Sequence, residues 1–215
     1  SSYESVVKEE KLEDNFTRVE ALKEELELEF LIEEINKLLE GIYEGALRSG
    51  QIVKGLRSFS MLDSDSFEYS NIHEWMDSAV HLLEARLSDR IKVNKNYGDI
   101  PNIECLPAKL NQVFLHLLNN SIQAIDGKGE ISIKTSLTDS TIKISVKDSG
   151  KGMEAEVLAN VFEPFFTTHE VGEGVGLGLS ISYGIVKQHG GQIDAISAPG
   201  EGAEFVITLP LKQSV

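Results

Sequence analysis

The sequence predicts an α/β domain with a long helical arm ahead of it, and three observations carry that expectation. Apolar residues recur at helical spacing, without a proline, over residues 20–60. Two strongly alternating runs, EISIKTSL and TIKISVKD, follow one another as the strands of a hairpin do. From Asn71 onward, helical patterns are interleaved with such strands, which suits a layered α/β core. With 215 residues there is room for one ordinary domain and a helical appendage, and a core of that size needs no covalent staples.

The elements are taken in chain order. Leu22, Leu26, Phe30, Ile35, Leu38, Ile42, Ile52, Leu56 and Phe59 make Glu20 to Ser60 read as one amphipathic helix. Gly41, Gly45, Gly50 and Gly55 weaken it by about 1 kcal/mol each relative to alanine, so it needs a second helix to pack on. Tyr3 to Asn15 reads as the tail of a preceding helix or a frayed arm. The polar stretch MLDSDSFEYSN separates the arm from the α/β domain, dividing the chain into residues 1–62 and 63–215. Ser70 or Asn71 caps a helix from Ile72 to about Leu87, with Trp75, Ala79, Leu82 and Leu83 facing inward. IKVNKNY suggests a strand. Pro107 opens a helix that runs to Asp126 and stops at Gly127 and Gly129. The hairpin turns at Thr138 to Ser140, and a helix from Leu177 to His189 with the strands GGQIDAIS and AEFVITLP completes the domain.

Composition narrows the function. A chain with 41% hydrophobic and 26% charged residues is neither disordered nor fibrous. Cys105 is the sole cysteine, so it forms no internal disulfide or cysteine-rich metal site, and a reducing cytoplasm is expected. No apolar run approaches the roughly 20 residues of a membrane span, and no secretory signal is visible, so no membrane contact is expected from these residues. The net charge of −15 argues against a nucleic-acid partner and obliges any triphosphate site to offset that field locally. Mg²⁺, backbone amides or a few placed cations are the available means.

Four motifs offer them. On the helix after Pro107, Gln112, His116, Asn120 and Gln123 share a polar face, opposite Phe114, Leu118, Ile122 and Ile125. The Asn120 amide oxygen is a neutral ligand of the kind that Mg²⁺ accepts, although a solvated asparagine looks the same in sequence. DSGKGM ends an alternating strand. There Asp148 offers an acceptor, and Gly150 and Gly152 allow close approach of a flat base, or else the segment is an ordinary turn. FEPFFTTH crowds three phenylalanines around Pro164, as a lid or as a small satellite core would. GEGVGLGLS places Gly172, Gly174, Gly176 and Gly178 directly before a helix, where amides can face a phosphate. It lacks the Lys-Ser/Thr ending of a P-loop.

In this order, Asn120, Asp148-Ser-Gly-Lys-Gly152, Phe162-Glu-Pro-Phe-Phe166 and Gly174-Val-Gly-Leu-Gly178 resemble the four nucleotide-binding boxes of sensor histidine kinases, over roughly Phe67 to Pro210. The resemblance implies a two-layer α/β sandwich of Bergerat type, with an ATP lid from about Met153 to Gly176. It implies that Asn120 holds Mg²⁺ and Asp148 accepts from the adenine amino group, while the Gly174 to Gly178 amides meet the phosphates. Gln123, Gly150, Gly152, Met153, Phe165, Thr168, His169, Val175, Gly176 and Leu177 complete the ATP-contacting set by the same likeness. Arg48 to Ser60, RSGQIVKGLRSFS, resembles the second helix of the family's dimerisation and phosphotransfer region. The implied partners are a phosphoacceptor helix of the same or a partner kinase, a response regulator, and a second copy through residues 20–60. A different class, a nucleotide-responsive interaction module of anti-sigma type, would use the lid and long helix to bind partners.

The chain departs from that pattern in four places. The family's phosphoacceptor motif, a His-Glu or His-Asp on the first helix with Asn-Pro soon after, is absent among His73, His81, His116, His169 and His189. A piece of a longer kinase, or a module acting on a separate protein, would account for that. His116 stands where these kinases usually carry a second asparagine and related ATPases a water-activating glutamate, which makes His116 a candidate base and slow hydrolysis the expectation. His169 replaces a usual lysine, so a phosphate role for it would make ATP bind more tightly as pH falls toward about 6.5. Val175 replaces a usual threonine. His189, at a helix end, suits a cation, and His73 and His81 read as surface residues.

Overall fold

The computed structural model describes residues 16–24, 27–60, 66–168 and 175–213, with the backbone alone for residues 47, 48, 51–60 and 88. The chain divides into two units, Ser1–Gln51 and Ile52–Val215. In the first, residues 16–24 are helical and helix α1, Leu28–Ser60, begins after a break. Glu27 adopts φ 46°, a left-handed conformation that a side-chain-bearing residue resists, so the single helix expected from Glu20 is interrupted there. Phe30, Ile35, Leu38 and Ile42 lie exposed on α1, as expected for a stripe awaiting a second helix. Tyr3 to Asn15 and the start of the polar linker, residues 61–65, lie outside the described residues.

The second unit is a five-stranded sheet covered on one face by helices. Its strands are β2 (Ile91–Asn96), β4 (Gly129–Thr138), β5 (Thr141–Asp148), β6 (Gln192–Ser197) and β7 (Ala203–Pro210), in the order β2-β4-β5-β7-β6. β2 runs parallel to β4, and the other neighbours are antiparallel. The alternation that predicts the hairpin also divides its side chains between the two faces. Ile131, Ile133, Ile142, Ile144 and Val146 point into the core, whereas Lys134, Lys143 and Lys147 stay on the other side. Helices α2 (Ile72–Leu82), α4 (Pro107–Ala124) and α6 (Gly178–Gln188) cover the inner face, with α4 packed between the other two. This is the two-layer α/β sandwich expected.

Local chemistry sets the boundaries. Asn71 caps α2 by accepting from the His73 amide at 3.0 Å. The helix expected to reach Leu87 breaks at Leu83, then resumes as the short α3 (Glu84–Leu87) and a tight turn at Ser88–Arg90. Ile72, Met76, Ala79 and Leu83 form the buried stripe. Leu82 is 63% exposed, contrary to expectation, because Leu83 takes the inward position at the break. Helix α4 stops at Ala124, two residues short of the expected Asp126, because the Arg90 guanidinium takes the Ile122 and Ile125 carbonyls. Two strands, β1 (Glu68–Ser70) and β3 (Ile103–Cys105), were not expected. They pair with each other outside the main sheet, and three residues are too few to show an alternation.

Three histidines differ from their sequence reading or acquire a partner. His189 is fully buried, its Nε2 accepting from the Leu106 amide at 3.0 Å and its Nδ1 facing the Ile185 carbonyl at 2.7 Å. An amide can only donate and a carbonyl can only accept, so the ring carries one proton, on Nδ1, and is neutral. It is therefore a strut between the C-terminus of α6 and the start of α4 rather than the expected cation, and Phe67 packs edge-on against it. His73 is half-buried rather than on the surface, stacked on Tyr97 at 4.3 Å and bonded to Thr135 Oγ1 at 2.9 Å. His81 is exposed beside Glu84, as expected.

Burial lowers the pKa of His189, with the Ile185 carbonyl opposing in part, and burial likewise lowers those of His73 and His116 from 6.5. An unfolded chain then binds protons that the folded chain refuses, so stability is full above 6.5 and falls as pH drops toward the folded pKa values. In urea unfolding, the midpoint is expected to drop between about pH 7.5 and about pH 5.5. His189→Phe should be less stable by roughly 1–3 kcal/mol, having left the Leu106 amide unpaired, but should lose less on acidification. An equal loss in both proteins would show that His189 is not a source of the pH dependence.

Candidate nucleotide-binding site

Asp148, the last residue of β5, is 3% exposed. Its Oδ1 accepts from the Gly150 amide at 2.8 Å and the Ala203 amide at 3.2 Å, while Oδ2 receives no described backbone amide. Burial raises the carboxyl's pKa, and the Gly150 and Ala203 amides, the Ser121 hydroxyl and Lys147 oppose the rise. A buried carboxylate with one oxygen anchored by amides keeps the other available as an acceptor.

The surrounding loops leave no room for side chains. At Gly152, φ is 68° and a Cβ would lie 1.9 Å from the Ala198 carbonyl, and at Gly202, φ is 74° and a Cβ would lie 2.0 Å from the Asp148 carbonyl. A Cβ on Gly150 would lie 2.5 Å from the Ala124 carbonyl, which also accepts from the Lys151 amide at 2.9 Å. The Gly200 amide bonds the Lys151 carbonyl, the Met153 amide bonds Ser197 Oγ, and Ser197 Oγ donates to the Gly202 carbonyl. The segment after Asp148 is thus fastened to the β6–β7 turn and to the end of α4. That is more than an ordinary Asp-Gly turn requires.

Helix α4 supplies the residues beside it. Asn120 is half-buried, and its side chain makes no hydrogen bond to a described residue. Gln123, one turn on, is exposed. Among the described residues no three histidines, cysteines or carboxylates gather into a metal site. One neutral amide oxygen suits Mg²⁺, which completes its shell with phosphate oxygens and water. His116 lies against the start of α6, with its Nδ1 3.1 Å from Ser182 Oγ, which in turn donates to the Gly178 carbonyl at 2.9 Å. Burial lowers the His116 pKa, partly offset by that carbonyl, so the ring is neutral near pH 7.

Helix α6 starts at Gly178, no described side chain caps its first amides, and a helix start of this kind can meet an anion. Gly176 precedes it at φ 69°, and its carbonyl accepts from the Phe165 amide at 3.0 Å, tying the phenylalanine segment to the approach to α6. Helix α5 (Ala155–Ala159) leads into the phenylalanine segment, whose aromatic residues differ in their packing. Phe162 joins the core, its ring 5.7 Å from that of Tyr183 and 6.4 Å from that of Phe205. Phe165 is 56% exposed at φ 66°, a left-handed conformation that costs a non-glycine residue about 1–3 kcal/mol. Thr168 is exposed, Val175 and Leu177 are half-buried, and His169 and Gly174 lie outside the described residues. Lys187 sits on the last turn of α6 over the Tyr183 ring, away from the helix start where a phosphate would bind.

Sequence reading singles out Asp148, Asn120 and the glycines but not Ser197 and Ala203, which bond the carboxyl or its loop. Their side chains are small and obey no spacing rule. Gly200 and Gly202, flanking Glu201 between two strands, are the one signal that the β6–β7 turn approaches another backbone closely.

Residues 105–213, about half of the chain, match the family of histidine kinase-, DNA gyrase B- and HSP90-like ATPases. The chain is 46% identical over 112 residues to the sensor histidine kinase ZraS of Escherichia coli (strain K12), covering 52% of this chain and 24% of that protein. It is 38% identical over 151 residues to sporulation kinase E of Bacillus subtilis (strain 168), covering 69% of this chain and 20% of that protein. It therefore spans about a quarter or less of the length of these relatives. The nucleotide-free catalytic domain of the histidine kinase ThkA superposes with a TM-score of 0.62 at 28% identity, over 68% of this chain and 97% of that one. ThkA in complex with the response regulator protein TrrA superposes with a TM-score of 0.64 at 27% identity, over 76% and 47%. The chain belongs to the histidine kinase-, DNA gyrase B- and HSP90-like ATPase family, and its fold is that of a histidine kinase catalytic domain.

Proposed function

We propose that this chain is the Mg-ATP-binding catalytic part of a sensor histidine kinase, with residues 63–215 as the catalytic domain and 1–62 as part of the helical phosphotransfer region. It delivers the γ-phosphoryl group of ATP to a histidine outside these residues, for onward transfer to a response-regulator aspartate. The observation that carries this reading is the buried Asp148 carboxyl, anchored through Oδ1 by two backbone amides that do not engage Oδ2. In this reading the free oxygen accepts from the adenine 6-amino group, and Gly150, Gly152 and Met153 let the flat base lie against backbone. The uncapped amides at the start of α6, with Val175, Gly176 and Leu177, meet the phosphates. Asn120 contributes a metal ligand, and Mg²⁺ when bound neutralises and orients the phosphates. Gln123, Phe165, Thr168, His169 and Gly174 complete the set once the lid closes over the nucleotide.

The same residues favour transfer over hydrolysis. His116 is neutral and already engaged with Ser182, and no carboxylate stands at that position to draw a proton from water. No suitable phosphoacceptor is found among the described histidines. His73 does precede Glu74, but its ring is stacked on Tyr97, and His189 is sealed in the core. The Cys105 thiol is buried and pushed up to about 11 by burial and by Glu68, and as the sole cysteine it supports a reducing, cytoplasmic setting. The exposed apolar stripe of α1 supports pairing with a second copy or another helix through residues 20–60. No described helix is long and apolar enough to cross a membrane.

Two outcomes are expected. Asp148→Asn replaces a charge-assisted bond of about 1.5–3 kcal/mol, so calorimetric titration should show ATP bound at least roughly tenfold more weakly. Unchanged affinity would favour a partner-binding module in which the lid and α1, rather than the nucleotide, are the working surfaces. Incubated with γ-labelled Mg-ATP, the isolated chain should hydrolyse it slowly and accumulate no acid-labile label. Label on this chain would place an acceptor within it, and rapid turnover abolished by His116→Ala would make His116 a base.

A further inference from the structure

Among the described residues, His116 is held through one ring nitrogen. Its Nδ1 lies 3.1 Å from Ser182 Oγ, and that hydroxyl donates its single proton to the Gly178 carbonyl at 2.9 Å. A hydroxyl that already donates can only accept from the ring, so the proton of the neutral imidazole sits on Nδ1 and the lone pair on Nε2. No described residue bonds Nε2. The ring lies against the first residue of α6, where a Cβ built on Gly178 would be 3.6 Å from its Cγ and 3.7 Å from its Cδ2. Asn120 follows one turn later on α4, half-buried, and its side chain likewise has no hydrogen bond to a described residue. The adjacent Asn119 differs, because its Oδ1 accepts from Arg86. Residues four apart on a helix are surface neighbours, about 5–6 Å apart at Cβ. One face of α4 beside the start of α6 thus carries an imidazole nitrogen and an amide oxygen, neither engaged by a described group.

We infer that His116 Nε2 is a second protein ligand for the divalent cation that accompanies the nucleotide, joining the Asn120 amide oxygen in a mixed nitrogen and oxygen pair that favours Mn²⁺, and Co²⁺ more so, over Mg²⁺. The inference rests on the reading of Asn120 as a metal ligand. Mg²⁺ is a hard cation that takes oxygen ligands and keeps several waters, whereas a site containing an imidazole nitrogen gains affinity along the first-row transition series. Ser182 fixes the tautomer. By accepting at Nδ1 it orients the ring and keeps the Nε2 lone pair available, as the outer partner of a metal-bound histidine does. Both ligands are neutral, and among the described residues no three histidines, cysteines or carboxylates gather to reinforce them. The pair is therefore a weak site alone, and the cation enters with the charge of the triphosphate. A cation on Nε2 also occupies the lone pair that would otherwise take a proton from water, which agrees with slow hydrolysis.

The test measures binding of a non-hydrolysable ATP analogue to the wild-type chain and to His116→Asn, with Mg²⁺, Mn²⁺ or Co²⁺ as the sole divalent cation. The wild-type chain should bind the analogue more tightly with Mn²⁺ or Co²⁺ than with Mg²⁺. His116→Asn puts an amide where the imidazole stood and should lower the ratio of Mn²⁺-supported to Mg²⁺-supported affinity by roughly tenfold. The direct readout, which needs no variant, is electron spin-echo modulation of Mn²⁺ bound with the analogue to the wild-type chain. Coupling to an imidazole nitrogen is expected, and its pattern should change when histidine alone carries heavy nitrogen, which separates the ring from the nitrogens of the nucleotide. A Mn²⁺ complex without histidine coupling would overturn the inference, as would coupling that persists in His116→Asn or an affinity ratio that the substitution leaves unchanged. Analogue binding that needs no divalent cation, or Asn120→Ala without effect on it, would instead remove the reading of Asn120 on which the inference rests.

Discussion

The site depends on one buried carboxyl group. Asp148 ends a central strand at 3% exposure, where an uncompensated negative charge would be costly, in a protein that already carries −15. Its ionised form is favoured by groups that come from separate parts of the chain. The Gly150 amide comes from its own loop, the Ala203 amide from the first residue of β7, and the Ser121 hydroxyl from α4. The β5–β7 pairing, the close approach of the β6–β7 turn and the seating of α4 on the sheet are therefore all conditions for one electrostatic arrangement.

The glycines serve the same constraint. Gly152 and Gly202 are needed because neighbouring carbonyls occupy the space where a Cβ would be, as well as for their positive φ. The loops at the strand ends can then interlock through backbone bonds, and a flat ligand can rest on peptide planes. At the start of α6 no described side chain caps the first amides, and Phe165, exposed and left-handed, is bonded through its amide to the Gly176 carbonyl.

Much of this is legible in the sequence where a pattern arises from geometry. The alternation of the β4–β5 hairpin, the face of α4 that carries His116 and Asn120, and the glycines around Asp148 each reflect a period or the absence of a side chain. Contacts between distant segments leave no such trace. The neutral state of His189 depends on the Leu106 amide 83 positions away, so a helix-end histidine reads as a cation until that contact is known. The stacking of His73 on Tyr97 is hidden for the same reason, and β1 and β3 are too short to carry a period.

The most direct measurement is a crystal structure of this chain with Mg²⁺ and a non-hydrolysable ATP analogue. The account predicts the adenine amino nitrogen within about 3 Å of the Asp148 carboxylate, Mg²⁺ on the Asn120 amide oxygen, and phosphate oxygens on the first amides of α6. A base seated away from Asp148, or phosphates with no contact to the start of α6, would contradict it.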